Sequence, residues 1–460
     1  MTTDVLPDEL ARPVVLGLGV TGAAVVRALV RRGAAVVVVD DHPDRVGPTA
    51  DALGVDLRTA PPDRAGWSAL LADATALLPS PGIPDAHPAM LAARGDDVPV
   101  RSELDLAAAF DDRPVLAITG TNGKTTVTSL VTAMVRAGGR VAVDAGNTDV
   151  PLVAAIDDPA VEVFVVEASS FRLAHTHHLT ARVGTWLNFA PDHLDVHASL
   201  AGYEQAKARI WRDLPPDGVA VPNADDPVVL GHAPADGRTV TFGLGGGDAD
   251  WTVRDGALLA PSGDAVAGVD ALARHLPHDL ANALAAAATA VAGGTGLDGA
   301  RQGLLGFTGL SHRVERVGEA GGVTWWDDSK ATTPHATRAA VAGFDSVVLI
   351  AGGRNKGLDL SGLAEATERI RSVVAIGESA PEVVAAFDGR RPVVTATSMA
   401  EAVALAAAAA RPGDAVVLSP GCASFDWYGS YAERGDDFVA EVRRHLADRT
   451  GSTDQGRSRP

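Results

Sequence analysis

Short segments made almost wholly of apolar residues alternate with helix-like segments along nearly all of the 460 residues. Parallel strands that are covered by helices on both faces bury both of their sides, so their sequences are short, continuous apolar runs. The alternation therefore predicts an α/β protein built on parallel sheets. Strands are predicted at Val14–Leu16, Ala35–Val39, Val115–Ile118, Val161–Val166, Val183–Phe189, Val323–Trp326, Val347–Ile350, Val373–Ile376, Val393–Thr395 and Ala415–Leu418.

The length and two changes of pattern predict three domains. A turn-rich stretch, SPGIPDAHP, follows the first series of strands, and the segment GFTGLSHR precedes the last series. We place the domains at residues 1–103, 104–309 and 310–447. Residues 448–460 show no apolar period, and a tail of this composition is expected to be disordered.

A glycine-rich turn stands near the start of the chain, in VVLGLGVTGAAVVRALVRRGAAVVVVDD. Gly17, Gly19 and Gly22 follow an apolar strand and open a helix, and Asp40 ends the next strand. This is the pattern of a βαβ unit that binds a diphosphate at the amino end of its helix. A Rossmann-like first domain is therefore predicted, with either a dinucleotide or another diphosphate as its ligand.

A second glycine loop, VLAITGTNGKTT, joins a buried strand to a helix at residues 115–126. The amides of such a loop bind phosphate oxygens, its lysine reaches the β- and γ-phosphates of ATP, and the next hydroxyl binds magnesium. Ile118 stands where the usual P-loop has its first glycine, so this loop is a variant. The central domain is predicted to be a P-loop ATPase-like parallel sheet. Because a dehydrogenase has no use for an ATP loop, an enzyme that uses ATP on a second phosphate-bearing substrate explains both loops.

Charge and composition exclude several classes of protein. The net charge of −19 argues against a nucleic-acid partner, since such partners require a basic face. Cys422 is the one cysteine of the sequence, which excludes an intramolecular disulfide and a cysteine-built zinc site. The acidic N-terminus is unlike a signal peptide, and no apolar run approaches the ~20 residues of a membrane helix. We therefore expect a cytoplasmic protein without membrane insertion, and a monomer.

The loop TGTNGKTT is similar to that of the Mur ligases and folylpolyglutamate synthetases, three-domain cytoplasmic enzymes that join an amino acid to a carboxylate with ATP. The resemblance continues, in the family's order, through VVEASSF, NFAPDHLDVH, YEQAKARI, PHDLANALAA, SHRVE, DDSKATTPHAT, AGGRNKG and SPGCASFDWYGSYAERGDDF. The last blocks, DSKAT and SPxxASxD, resemble the D-glutamate-adding branch of the family.

This resemblance implies an ATP-dependent ligase that adds D-glutamate to UDP-N-acetylmuramoyl-L-alanine through an acyl phosphate, in peptidoglycan precursor synthesis. The first domain would then hold the UDP-sugar, whose diphosphate takes the place of that of a dinucleotide. Two alternatives stay open: another Mur-type or folylpolyglutamate-type ligase, and an NAD-binding regulatory protein with an idle ATP loop. The Asp-Asn-Pro-Arg signature of the diaminopimelate-adding relative is absent from the sequence, which counts against that relative.

The resemblance also implies roles for individual residues. The implied catalytic residues are Lys124, Glu167, His193, Lys207 and Arg313. ATP contacts are implied for Gly120, Thr121, Asn122, Gly123, Lys124, Thr125, Thr126, Asp279, Asn282, Arg313, Asp328 and Lys330. Contacts with the UDP-substrate are implied for Val20, Thr21, Asp40, Gly82, Asn147 and His193, and contacts with D-glutamate for Thr332, Lys356, Ser424 and Tyr431. Two positions depart from the family: Asp279 stands where Asn is usual, and Arg172 stands where the D-glutamate-adding relatives tend to have Gln.

Two magnesium ions are implied as cofactors, and their implied ligands are Thr125, Glu167, His193 and Lys207. By spacing alone, Lys207 in YEQAKARIW is a solvated helix lysine paired with Glu204. The family, however, has a carbamylated lysine at this place. Carbamylation makes the side chain an oxygen-bearing anion that suits magnesium, and it requires a neutral amine and hence a lowered lysine pKa.

A group of histidines raises the alternative of a zinc site. They are His175, His177, His178, His193 and His197. The run HTHH lacks the spacing that places ligands on one face of a helix or strand, so zinc is not predicted.

Overall fold

A computed structural model describes residues 6–148, 150–192, 196–245, 249–355 and 358–454. The chain divides into two compact units, Met1–Phe307 and Thr308–Pro460. Among the described residues, every helix is too short or too polar to cross a bilayer.

The first sheet of the first unit has four parallel strands in the order β3-β2-β1-β4. Its strands are β1 (Pro13–Leu16), β2 (Val37–Asp40), β3 (Asp56–Thr59) and β4 (Ala76–Pro79). The accompanying helices are α1 (Val20–Arg31), α2 (Pro43–Leu53), α3 (Arg64–Leu71), α4 (Pro88–Gly95) and α5 (Glu103–Phe110). Because β1 and β4 are neighbours and β2 lies on the other side of β1, the carboxyl end of β1 is central at the edge where ligands of such sheets bind.

The second sheet of the first unit has six parallel strands in the order β10-β9-β8-β5-β7-β6. Its strands are β5 (Val115–Thr119), β6 (Ala142–Gly146), β7 (Val163–Glu167), β8 (Val183–Trp186), β9 (Val219–Pro222) and β10 (Arg238–Thr239). The helices are α6 (Lys124–Ala137), α7 (Leu152–Ala155), α8 (Ser170–Ala174), α9 (Leu200–Ala208), α10 (Pro227–Gly231), α11 (Pro277–Ala292) and α12 (Leu297–Leu305). A small antiparallel sheet follows β10 and consists of β11 (Thr252–Arg254), β12 (Ala257–Leu259) and β13 (Ala265–Gly268).

One buried apolar cluster continues from the first sheet into the second. It includes Val15, Val25 and Phe110 of the first sheet region and Phe164 and Trp186 of the second, each at most 4% exposed. Burial of one such side chain contributes about 1.5–3 kcal/mol to stability. This shared core explains why the chain is compact as one unit up to Phe307.

The second unit is built on a six-stranded sheet in the order β14-β15-β19-β16-β17-β18, in which β14 alone runs antiparallel. Its strands are β14 (Glu315–Ala320), β15 (Val323–Asp327), β16 (Val347–Gly352), β17 (Ile370–Ile376), β18 (Val393–Thr395) and β19 (Ala415–Leu418). Its helices are α13 (Pro334–Val341), α14 (Ala380–Phe387), α15 (Met399–Ala409) and α16 (Tyr431–Asp454). It also has a 3₁₀ segment at Leu360–Arg369, and the first unit has 3₁₀ segments at Asp8–Leu10, Arg209–Trp211 and Val269–Ala271.

The predicted fold class is confirmed, because three of the four sheets are parallel or almost so and carry helices between their strands. Every strand predicted from an apolar run overlaps a strand of the structure. Helix α16 continues to Asp454 and so overlaps the segment 448–460, for which the sequence predicts a disordered tail. Residues 455–460 lie outside the described part of the chain.

Candidate active site

The second glycine loop leaves the carboxyl end of β5 and opens helix α6 at Lys124. Gly123 has a φ of +83°, and a Cβ at this position would come within 2.5 Å of Asn282 Oδ1. Only glycine therefore lets the loop turn into α6 while α11 packs against it. The first amides of α6 have no carbonyl partner within the helix, so they form an anion site at its amino end. Lys124 Nζ donates to the carbonyl oxygens of Gly120 and Thr121 at 2.9 Å each.

The loop is held by residues that follow strand β8. Asn188 accepts from the amide of Thr121 with its carbonyl oxygen at 3.1 Å, and from the amide of Asn122 with its Oδ1 at 2.9 Å. The hydroxyls of Thr121 and Tyr203 lie 3.1 Å apart. The sequence blocks NFAPD and YEQAK thus contribute groups that fix the loop conformation. Asn188 and Tyr203 were not predicted as site residues, because their contacts join positions that are distant in the sequence.

Lys207 lies on α9 and is 1% exposed. Its Nζ donates to the carbonyl oxygen of Gly120 at 2.7 Å and lies 4.6 Å from the centre of the Tyr203 ring. Burial, and then the positive charge of Lys124, lower the pKa of Lys207 well below its ordinary value. The interpretation of Lys207 as a solvated lysine paired with Glu204 is wrong, since Glu204 instead pairs with His232 at 2.6 Å.

Glu167 ends strand β7, next to β5 in the sheet, and is 2% exposed. Its Oε1 accepts from Asn147 Nδ2 at 2.8 Å, whereas its Oε2 is buried and has no hydrogen-bond partner among the described residues. A buried carboxylate oxygen without a partner is costly unless a cation satisfies it. Carboxylate oxygens are also among the ligands that magnesium prefers, so Glu167 fits a magnesium site.

Arg172, one of the two departures from the family, contacts residues that are expected to bind the UDP-substrate. It is buried on α8, where Nε donates to Glu103 Oε1 at 3.0 Å and Nη1 donates to Asn147 Oδ1 at 2.7 Å. Its Nη2 donates to Thr21 Oγ1 at 3.2 Å, in the first turn of α1. The guanidinium therefore connects the diphosphate loop of the first sheet with the Asn147–Glu167 pair of the second.

The diphosphate loop itself has the geometry that its glycines predict. Gly17 has a φ of +87°, and a Cβ on Gly22 would clash with the Gly17 carbonyl oxygen. Asp40 accepts from the amide of Leu18 with Oδ2 and from that of His42 with Oδ1, both at 2.8 Å. In this structure Asp40 thus orients the backbone, while Val20 at the start of α1 is 71% exposed.

A shallow pocket beside this loop contains Gly82, Phe171, Arg172 and His175. Burial lowers the pKa of His175 to about 4, so its imidazole is neutral at physiological pH.

Asp279, the other departure, takes part in an ion pair on the first turn of α11. Its Oδ1 lies 3.0 Å from Arg274 Nη2 and 3.5 Å from His278 Nε2. Asn282, one turn later on the same helix, faces the loop at Gly123. The structure thus brings Asn282 to the ATP loop and assigns Asp279 a structural pairing.

In the second unit, Asp328 and Arg313 lie together. Asp328 accepts from Ser419 Oγ at 2.7 Å and from the amide of Val314 at 3.2 Å, and burial raises its pKa to about 7. Arg313 stands between His312 and Val314, whose φ values are +61° and +46°. Such backbone is strained for residues other than glycine and is concentrated at functional sites. His312 Nδ1, 2.6 Å from the buried Asp327 Oδ2, helps to hold this turn.

Lys330, which is implied for ATP, lies close to Tyr431, which is implied for D-glutamate. Lys330 Nζ lies 5.1 Å from the centre of the Tyr431 ring, and Ser329 Oγ donates to the Tyr431 carbonyl at 2.7 Å. Ser424 is buried and Thr332 is half-buried on the neighbouring loops. Two predicted site residues, His193 and Lys356, lie outside the described residues.

Comparison with known proteins agrees with this arrangement. Three family models match along the chain: the MurD-like N-terminal domain of Mur ligases at residues 11–102, the Mur ligase middle domain at 118–290, and the Mur ligase glutamate ligase domain at 312–422. A UDP-N-acetylmuramoylalanine–D-glutamate ligase of Frankia casuarinae is 43% identical over 447 residues, which is 93% of each chain. The chain belongs to the Mur ligase family.

A second relative and a solved structure are also similar to this chain over most of its length. A UDP-N-acetylmuramoylalanine–D-glutamate ligase of Nitrosococcus oceani is 39% identical over 96% of this chain and 98% of its own. Among solved structures, a pseudomurein peptide ligase type C of Methanothermus fervidus superimposes with a TM-score of 0.59, at 18% identity, over 89% of this chain and 97% of its own. The last similarity shows that the two proteins share a fold.

Proposed function

We propose that this Mur ligase adds D-glutamate to UDP-N-acetylmuramoyl-L-alanine, with hydrolysis of ATP to ADP and phosphate, in peptidoglycan precursor synthesis. Relatives of 37–43% identity over most of the chain bear the name of this activity. One observation carries the proposal on the structural side. A continuous set of polar contacts runs from Glu167 through Asn147 and Arg172 to Thr21, so it links the metal-side carboxylate with the diphosphate loop.

The reaction requires an activated carboxylate, because a carboxylate ion does not acylate an amine at neutral pH. An oxygen of the L-alanyl carboxylate attacks the γ-phosphorus of ATP, and the bond to ADP breaks. The amine nitrogen of D-glutamate then attacks the acyl carbon, loses a proton, and expels phosphate. Both steps gather negative charge in one place, so cationic and dipolar groups of the protein must stabilise it.

The residues of the chain supply these groups. The amides at the start of α6, with Lys124, bind the ATP phosphates, and Arg313 is the further cation that the family resemblance assigns to the γ-phosphate. Magnesium supplies further positive charge when it is bound, with Thr125, Glu167, His193 and the carbamate of Lys207 as its ligands. The lowered pKa of Lys207 supports this last role, since only the neutral amine reacts with carbon dioxide.

The three predicted domains divide the binding of substrates. Residues 1–103 hold the UDP-substrate through Val20, Thr21, Asp40 and Gly82, and Asn147 of the central domain adds a further contact. Residues 104–309 hold ATP, and residues 310–447 hold D-glutamate through Thr332, Lys356, Ser424 and Tyr431. We further propose that the protein works as a monomer in the cytoplasm, where ATP and nucleotide-linked precursors are available.

Phosphate release by the purified protein tests the proposal. Release from ATP should require both UDP-N-acetylmuramoyl-L-alanine and D-glutamate. Omission of either substrate is the control for uncoupled ATP hydrolysis. Equal turnover with meso-diaminopimelate or L-lysine in place of D-glutamate would show that the proposed acceptor specificity is wrong.

A further inference from the structure

Arg434 is the fourth residue of helix α16 and is 1% exposed. Its Nε donates to Ser329 Oγ at 2.9 Å, and its Nη2 donates to the Ser329 carbonyl at 2.8 Å. Both Nη1 and Nη2 donate to the Cys422 carbonyl at 3.2 Å. The guanidinium thus bridges two loops that are separated by about a hundred residues along the chain.

Among the described residues, no carboxylate lies within ion-pair distance of Arg434. All four of its hydrogen bonds within the described part of the chain go to carbonyl or hydroxyl oxygens. Burial lowers the pKa of Arg434 to about 10, so the guanidinium is still charged at neutral pH. Asp426 favours the charged guanidinium without a direct hydrogen bond to it, and accepts from the amide of Glu378 at 3.0 Å.

Such a cation is costly for folding. Buried charges are ordinarily paired with an opposite charge, because removal from water is expensive. The position is also unfavourable, since the first turn of a helix carries the positive end of its dipole. A neutral donor could bridge the same oxygens at lower cost, so stability alone does not account for an arginine here.

The two bridged loops carry residues that the proposed function assigns to substrates. Lys330 directly follows Ser329, and Ser424 is two residues beyond Cys422. Ser329 also donates to the carbonyl of Tyr431, the first residue of α16. The three segments that carry Lys330, Ser424 and Tyr431 therefore meet at the guanidinium of Arg434.

We propose that Arg434 is a positioning residue that adapts this site to an amino acid with a second carboxylate. It fixes the Ser329 and Cys422 peptides, and its charge adds to the positive end of the α16 dipole. Both effects favour a dianionic acceptor over one with a neutral side chain. The proposal rests on the proposed function, because it takes D-glutamate as the acceptor.

Two substitutions separate charge from hydrogen bonding. R434Q keeps neutral donors but removes the charge, whereas R434K keeps the charge but loses the planar fork. The exposed Arg444 on the same helix, paired with Glu441 at 2.6 Å, provides R444Q as a matched control. Steady-state phosphate release by each full-length protein gives kcat and a KM for each substrate, and thermal unfolding reports stability. D-glutamine serves as a competitive ligand with a neutral side chain.

R434Q should raise the KM for D-glutamate about tenfold, the order expected when one unit charge is removed from the surroundings of a charged ligand at the effective dielectric of a protein. It should change the KM values for ATP and the UDP-substrate, and the inhibition constant of D-glutamine, less than about threefold. R434K should keep the KM for D-glutamate within about threefold of wild type even where its melting temperature falls. R444Q should match wild type.

A purely structural Arg434 would overturn the proposal: R434Q and R434K would then lower the melting temperature alike and leave the KM for D-glutamate unchanged. If R434Q does not fold, R434K decides alone, and a tenfold rise in its KM for D-glutamate would overturn the role of the charge. The wild type is assayed first. Failure of the wild type to use D-glutamate contradicts the proposed function and is seen before any variant is compared.

Discussion

Replacement of Lys207 by alanine tests the metal-side chemistry most directly. Lys207 is buried, its pKa is lowered by burial and by Lys124, and its Nζ lies 2.7 Å from the Gly120 carbonyl. A cationic amine beside bound magnesium would repel it, whereas a carbamate would bind it. We therefore expect Lys207→Ala to remove a metal ligand and to lower turnover by about 10²–10³, the loss seen for single electrostatic groups.

The expected loss of stability is small by comparison. Removal of the Nζ takes one donor from the buried Gly120 carbonyl, which costs about 1–3 kcal/mol when no partner is left. Lys124 Nζ also donates to this carbonyl at 2.9 Å, so the cost should lie near the lower end. A fall in turnover by two orders of magnitude with only a slightly lower melting temperature would separate the chemical role from a structural one.

Rescue by small carboxylates is the decisive assay. Acetate or formate can occupy the space left by the side chain and supply the missing oxygen ligand. Phosphate release by Lys207→Ala should rise with carboxylate concentration, while that of wild type stays constant. Lys124→Ala is the matched control, because it lacks a cation that no carboxylate can replace. In addition, ¹³C-bicarbonate should give a carbamate signal in wild type that is absent from Lys207→Ala.

Two outcomes would refute the reasoning. Full activity of Lys207→Ala without additive would show that the lysine is dispensable. Equal rescue of Lys207→Ala and Lys124→Ala would show that the carboxylate acts elsewhere than at the lost ligand.

Three further predictions concern the polar groups around the two loops. Glu167→Gln should abolish the rise in melting temperature that magnesium causes, and it should lower turnover by about 10²–10³. Without metal it should raise the melting temperature, since it replaces a buried carboxylate that has one unpartnered oxygen. Arg172→Gln should raise the KM for the UDP-substrate about tenfold through the lost contact to Thr21 and leave that for D-glutamate unchanged; an unchanged KM for the UDP-substrate would contradict this role. Asp328 binds its proton more tightly in the folded state, with a pKa of about 7, so wild type should lose stability relative to Asp328→Asn as pH rises from about 4 to 7, by at most ~4 kcal/mol. Urea unfolding of both proteins at each pH gives their free energies of unfolding. A difference between the two proteins that stays constant from about pH 4 to 7 would refute the last prediction.

The strands and both phosphate loops could be predicted because their signals are local. An apolar run such as Val347–Ile350 is a strand wherever helices cover it, and glycine at positions 17 and 123 allows the positive φ that each loop requires. Strands with polar or mixed composition were missed, among them Asp56–Thr59 and Glu315–Ala320, because they lie at sheet edges, where one side need not be apolar.

The sequence by itself determined the α/β class, the position of the two loops and, through its motifs, membership of the Mur ligase family. Only the tertiary structure decided which polar side chains are buried and which groups they contact. Lys207 reads as a solvated residue in its own helix, yet its partner Gly120 is 87 residues away, and Arg172 reaches Thr21 across 151 residues. Such contacts depend on strand order and on how the helices pack over the sheets. That packing supplies the free energy that offsets the burial of a polar group beside a distant carbonyl. Because the packed residues are distant in the sequence, they form no periodic pattern that could predict the contact.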